Sequence, residues 1–433
     1  MKKLVRGTAL LAICACRLSA QHYQVLHSFI GYPNDASYVV SSLVFDQQGN
    51  LYGTSAGGGS GTGPQCAGTG CGTVFELSPN GDGTWAERLL YSFCTAYDGG
   101  NCTDGIASYG GLALDALGNL YGATVAGGSQ SAPPCGDLGC GIAFELSPPA
   151  QPSGPWTESV LHNFCSAISG GKCLDGDQPN GQLIFDSAGN LYGTAYGGSG
   201  HAPMDSGGGV VFELSPKLGA WDESVLYNFC SLGRGEICPD GDAPYQAGVT
   251  FGPSGNLYGM TEAGGNTKND GGGVIYELSP SSGAWNETVL ASFPSPTFGA
   301  PSGGVSLDPT GNVYGSFEFP HGGVFRLEVE SGRKSVFDFN GSDGQQPIGG
   351  VTLDLKRDIL YGTASGNGSG LGAIYEIDAQ GQETILYEFC SQPNCADGYL
   401  PWATLIMDKS GNLYGTTEFG GEYGQGVVFE LTP

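Results

Sequence analysis

Three sets of residues in this chain have the type and spacing for chemistry, and the first two recur. The first is aspartate. An Asp-Gly element stands eight residues before the apolar start of a strand pattern at Asp104, Asp175, Asp343 and Asp397, with Asp240 displaced by one. Asp35 holds the same offset without the glycine. Carboxylates that converge can bind Ca²⁺, which takes six to eight oxygen ligands. Asp175-Gly176-Asp177 and Asp240-Gly241-Asp242 bring two carboxylates each. The candidate metal set is therefore Asp104, Asp175, Asp177, Asp240, Asp242, Asp343 and Asp397, with calcium as its cation and no cofactor required. The competing reading is turn chemistry: Asp-Gly builds tight turns, and dispersed copies need never meet.

The second set is cysteine. Beyond Cys14 and Cys16 the cysteines fall into close pairs: Cys66/Cys71, Cys94/Cys102, Cys135/Cys140, Cys165/Cys173, Cys230/Cys238 and Cys390/Cys395. An even number at repeated positions reads as local disulfides. A metal centre would call for spacings such as Cys-x-x-Cys. Here longer spacings separate the partners and no histidine accompanies them.

A third candidate is aromatic. Five residues beyond the Asp stand Val40, Tyr109, Asn180, Tyr245, Ser302, Ile348 and Trp402. Their neighbours repeat but this position varies, so it is released from the repeat. Tyr109, Tyr245 and Trp402 offer stacking surface with a polar handle, suited to sugar rings or peptide. No catalytic residue is assigned: the chain has no nucleophile elbow, His-Glu-x-x-His run or phosphate loop.

The elements that must position these residues form a repeat. A Gly-Asn-Leu-Tyr-Gly phrase returns seven times, at Tyr52, Tyr121, Tyr192, Tyr258, Tyr314, Tyr361 and Tyr414, each followed by a Phe-Glu-Leu type run. Each unit holds four short apolar runs bounded by Gly, Pro, Asn, Asp or Ser, which is the strand signal. Four strands repeated seven times predict an all-β, seven-bladed β-propeller of four-stranded blades. The run at residues 25–29 is a fourth strand without its first three, and the run at 427–431 is a third strand without its fourth. The N-terminal strand is thus expected to complete the last blade. Small residues at Ser41, Gly110, Gly181, Ala247, Gly303, Gly349 and Ala403 mark where inner strands crowd the axis.

The phrases GNLYGT and GVVFELSP, with the Trp-x-Glu-x-x-Leu-Tyr-x-Phe run, resemble the GloVer tandem-repeat family of exported bacterial proteins. The resemblance covers nearly all of residues 22–433. It implies the fold and export, and brings no activity with it.

Lys2, Lys3 and Arg6, an apolar run to Cys16, and Leu18-Ser19-Ala20 read as a signal peptide over 1–20, with the propeller over 21–433. An exported chain, whether periplasmic, extracellular or at the cell surface, fits the disulfides. No later apolar stretch is long enough to span a bilayer. The formal charge is −27, which repels nucleic acid and excludes it as a partner. The expected function is a monomeric binding module for extracellular carbohydrate or a protein partner. The alternatives are a hydrolase or lyase using carboxylates with a divalent cation, and a cell-surface scaffold.

Overall fold

The computed structural model describes residues 21–129, 135–151, 154–198, 208–232, 237–246, 248–265, 271–294, 299–340, 344–366 and 371–433. The expected leader over 1–20, Asp343 and Ala247 lie outside the described residues. The described chain is all-β, without an α-helix, and forms seven four-stranded antiparallel sheets in a ring, a seven-bladed β-propeller. In blade 1, Val44–Phe45, Leu51–Ser55, Thr73–Pro79 and Trp85–Ser92 pair in that order from the axis outward. Leu51–Ser55 is buried throughout because neighbouring blades cover both of its faces. From residue 85 to 89 the outer strand Trp85–Ser92 alternates between half-buried and exposed residues, as a strand with one wet face does.

His22–Ser28 pairs with Val427–Thr432, so the N-terminal strand completes the blade built from Ile406–Met407 and Leu413–Thr417. The ring has no open seam.

Each seam between blades has the same apolar contact. The phenylalanine ending an outer strand meets the aromatic ring of the next blade's third strand. The pairs are Phe29–Phe75, Phe93–Phe144, Phe164–Phe212, Phe229–Tyr276, Phe293–Phe325, Phe339–Tyr375 and Phe389–Phe429, all edge-to-face at 4.9–5.7 Å. Such pairs add roughly 0.5–1.5 kcal/mol each beyond the area they bury.

Nearer the axis the contact is backbone to backbone. A Cβ on Gly110 would stand 2.6 Å from the Gly181 carbonyl oxygen, and one on Gly349 would stand 2.7 Å from that of Ala403. The hydroxyl of the GNLYGT phrase then ties blades together. Thr54 donates to the Gly110 carbonyl at 2.9 Å, Thr363 to Ala403 at 3.1 Å, and Thr416 to Ser41 at 3.2 Å across the closing seam.

The turns on the opposite face explain the Asp-x-x-Gly-Asn spacing. Asp115 accepts from the Leu117 and Asn119 backbone N–H groups, both at 2.8 Å, and from the Tyr121 hydroxyl at 3.3 Å. The repeated tyrosine therefore anchors its own turn. In the sixth blade Asp354 still accepts from the Lys356 N–H at 3.0 Å, and its extra residue is absorbed by Asp358 at φ +57°.

Candidate functional site

The crossings between blades and the loops joining second to third strands share one face. All six expected disulfides form there: Cys66–Cys71, Cys94–Cys102, Cys135–Cys140, Cys165–Cys173, Cys230–Cys238 and Cys390–Cys395.

The repeated aspartates are buried beneath this face. Asp104 accepts from the Tyr91 hydroxyl at 2.8 Å, the Thr95 N–H and hydroxyl at 2.9 Å, and the Ala96 N–H at 3.1 Å. Asp240 repeats this with Tyr227, Ser231 and Leu232, and Asp397 with Tyr387, Ser391 and Gln392. At Asp175 the outer-strand donor is His162 at 3.2 Å, and at Asp35 it is His27 at 3.3 Å. Each aspartate thus fastens the start of its own crossing. Burial opposes the charge of Asp175, but the hydrogen bonds from His162, Ser166 and Ala167 prevail and hold its carboxyl below the usual range.

Among the described residues, no three of these aspartates bring their carboxylates within 4.8 Å of one another. Asp35 instead meets the neighbouring blade, where His27, Asp35 and Glu87 bring ligand atoms within 4.8 Å of one another. The other seams repeat the partnership. Burial first, then the facing aspartate, raises Glu87 beside Asp35 to about 8 and Glu158 beside Asp104 to about 8. The same causes raise Glu223 beside Asp175 and Glu287 beside Asp240 to about 7 each. Asp177, on the short strand Asp177–Pro179, is raised to about 6 by burial and then by Asp175. Asp242 pairs by backbone with Ala263, just beyond the second strand of its own blade.

The seven first strands enclose an axial cavity of about 590 Å³. Tyr109, Asn180, Gln246, Ile348 and Trp402 line it, with Ser42, Gln182, Thr250 and Thr404 further along the first strands. None of its described lining residues is charged, although the chain carries −27. Trp402 is half-buried, and its indole N–H has no hydrogen-bond partner among the described residues. Asn180 is fixed by accepting from the Gln246 N–H at 3.2 Å. Tyr109 is half-buried in the wall. Tyr245 stands just outside it, 38% exposed, edge-on to Tyr196 at 5.4 Å. The structure therefore brings Tyr109 and Trp402 to one channel and places Tyr245 on its approach.

Sequence reasoning passed over a rim of acids. Glu262, Glu318 and Glu418 stand four residues after the repeated tyrosine, where other blades carry Ala56, Val125, Tyr196 and Ser365. All three are half-buried or nearly so. Burial and then Glu262 push Glu318 up to about 7; burial and then Asp242 raise Glu262; burial raises Glu418. Glu262 and Glu318 also act on Tyr245, and Glu418 on Tyr109, so the acids and phenols form one rim around the mouth. The departure of this position from the repeat was the available signal.

A closed ring of repeated blades with a neutral channel and an acid-and-aromatic mouth defines a seven-bladed propeller of a tandem-repeat type. The chain belongs to the Gloeobacter/Verrucomicrobia repeat family, whose model matches residues 67–319 and 317–433. No curated protein matches it in sequence. Among solved structures it is similar to a puromycin hydrolase S511A mutant complexed with PGG, at 13% identity and TM-score 0.52, over 90% of this chain and 50% of that one. It is also similar to the extracellular domain of a hybrid two-component system from B. thetaiotaomicron, at 12% identity and TM-score 0.50, over 94% of this chain and 42% of that one. The chain thus spans half or less of the length of these proteins, and at such identity the likeness is one of fold.

Proposed function

We propose that the chain is an exported, monomeric binding module that takes a neutral saccharide at the mouth of its axial channel. The observation that carries this reading is the uncharged channel wall in which Trp402 and Tyr109 stand with Asn180 and Gln246. Sugar hydroxyls bond to such amides, and a sugar ring stacks on the aromatic faces. An anionic ligand would meet the rim of Glu262, Glu318 and Glu418 and be repelled.

The test is binding of the oxidised protein to an array of bacterial and plant polysaccharides, with calcium and with EDTA. Trp402→Ala should weaken binding about tenfold, the loss of roughly 1.4 kcal/mol of stacking. Tyr245→Ala should weaken it less. Loss of binding in EDTA would bring calcium and the Asp177 and Asp242 loop into the site. No binding to any polysaccharide on the array, or binding unchanged in Trp402→Ala, would overturn the reading.

A second reading is favoured by one observation, the Glu318 carboxyl raised to about 7 beside Glu262. A proton held there near neutrality is what a general acid needs. In that case soluble sugar fragments would appear on incubation and vanish in Glu318→Gln.

A further inference from the structure

The disulfides are not evenly spread over their face. Cys66–Cys71, in the loop between the second and third strands of blade 1, packs against Cys94–Cys102, in the crossing that leaves the same blade. The four sulfurs lie within 4.8 Å of one another. Blade 2 repeats the arrangement with Cys135–Cys140 and Cys165–Cys173. Cys230–Cys238 and Cys390–Cys395 belong to blades whose second-to-third loops contain no cysteine, so each is alone.

The quartets have the dimensions of a known centre. Zinc held by four thiolates sits about 2.3 Å from each sulfur in a tetrahedron, whose edges are then about 3.8 Å. Cys140 Sγ and Cys173 Sγ, from different disulfides, stand 3.9 Å apart. Seven of the eight cysteines are fully buried, and Cys135 is partly so. Around the first quartet the loop backbone is close, since a Cβ on Gly63 would come within 2.9 Å of Cys102 Sγ. The cysteine spacings within each loop are unlike those of zinc motifs. The tetrad is assembled instead between two loops, where no linear spacing rule applies.

We propose that each quartet binds one zinc ion when its two disulfides are reduced by a dithiol. Reduction takes four electrons and four protons per quartet, two of each per disulfide, and oxidises two dithiols. Zinc then displaces the four thiol protons and is bound by four thiolates. Each quartet therefore has two closed states, a pair of disulfides each within its own loop, or one metal that joins the two loops. The inference is independent of the saccharide reading.

The experiment is to reduce the folded protein anaerobically with a dithiol, remove the reductant by gel filtration, and titrate with zinc or cobalt. Two zinc ions per chain are expected. Cobalt should give the intense thiolate charge-transfer and d–d bands of a tetrahedral sulfur site. Cys94→Ser and Cys165→Ser should each remove one ion, and Cys66→Ser should repeat the loss at the first quartet should Cys94→Ser fold poorly. Cys230→Ser should keep both. A reduced chain that binds no metal, or one whose stoichiometry ignores Cys94→Ser and Cys66→Ser alike, would overturn the proposal. So would a reduced chain that loses its β circular-dichroism spectrum and stays unfolded with zinc.

Discussion

Lys334 holds its ammonium 4.4 Å from the ring centroid of Phe293, on the strand position where other blades carry a glutamate. The position is fixed by register. Lys334 pairs with Leu327 as Glu87 does with Leu77, Glu158 with Leu146, Glu223 with Leu214 and Glu287 with Leu278. Each of those glutamates faces the buried aspartate of the preceding blade. The crossing after Phe293 has no Asp-Gly element, and there the glutamate is replaced by a cation lying over the ring. Glutamate and aspartate are thus neighbours across the seam, and burial first, then the nearby aspartate, disfavours the charged form of each glutamate.

This sets a direction for stability against pH. The seam glutamates have folded pKa values of about 7 to 8 against an ordinary 4.5. A raised folded pKa stabilises fully below the unfolded value and loses that contribution as pH rises through the folded one. The melting temperature should therefore fall between pH 5.5 and pH 9. Glu158→Gln, which keeps shape and a donor, should melt above the parent at pH 9 and close to it at pH 5.5. A parent curve flat over that range would refute the raised seam glutamates.

Asp240→Asn tests the other half of the seam. Asp240 is 1% exposed and accepts from the Tyr227 hydroxyl, the Ser231 N–H and hydroxyl, and the Leu232 N–H. Removing the charge should cost about 2–3 kcal/mol, the range for bonds to a charged acceptor. It should also bring the Glu287 carboxyl back toward its ordinary value, read by NMR titration. A destabilised variant with Glu287 unmoved would separate the loop brace from the seam.

Gly110→Ala probes the crowded axis. Its new Cβ has the neighbouring blade's Gly181 carbonyl oxygen at 2.6 Å, and backbone there cannot yield without moving a blade. A loss of about 1–3 kcal/mol in urea unfolding is expected, as for other overpacked cores. A neutral result would mean that the blades stand further apart than described.

Thr416→Val removes the hydroxyl bond to the Ser41 carbonyl across the closing seam while keeping the side chain's shape. About 1 kcal/mol should be lost. Amide exchange over residues 22–28 should quicken more than in the other outer strands, because that strand lies in the blade the bond secures. Uniform quickening would show that the ring opens everywhere at once.

The fold was legible because one constraint is written seven times. Tyr121, Asp115 and Asn119 show in one turn why their spacing returns in the others, and Gly110 and Gly349 show why small residues mark the axis. The disulfides were legible from pairing alone. The channel was partly so: the released position does line it at Tyr109 and Trp402, while Tyr245 belongs to the approach. What stayed hidden joins different repeats. Asp104 and Glu158 each look like ordinary repeat furniture, and only the packing of neighbouring blades makes them a pair. Cys71 and Cys94 likewise belong to separate loops until the chain folds back. The rim of Glu262, Glu318 and Glu418 could have been found by asking which second-strand position breaks the pattern.

A ring fastened by pairing His22–Ser28 with Val427–Thr432 cannot be finished while it is being made. The strand His22–Ser28 waits for its partner until residues 427–432 have been made, so one blade stays a strand short while the other six are synthesised. Contacts of such separation form late and slowly. The clasp also makes the two ends answer for each other: a chain cut before residue 427 loses its last strand and sets its first one loose. An incomplete copy would therefore display two unpaired strand edges at once, a plain mark by which a cell's proteases could tell it from the finished ring.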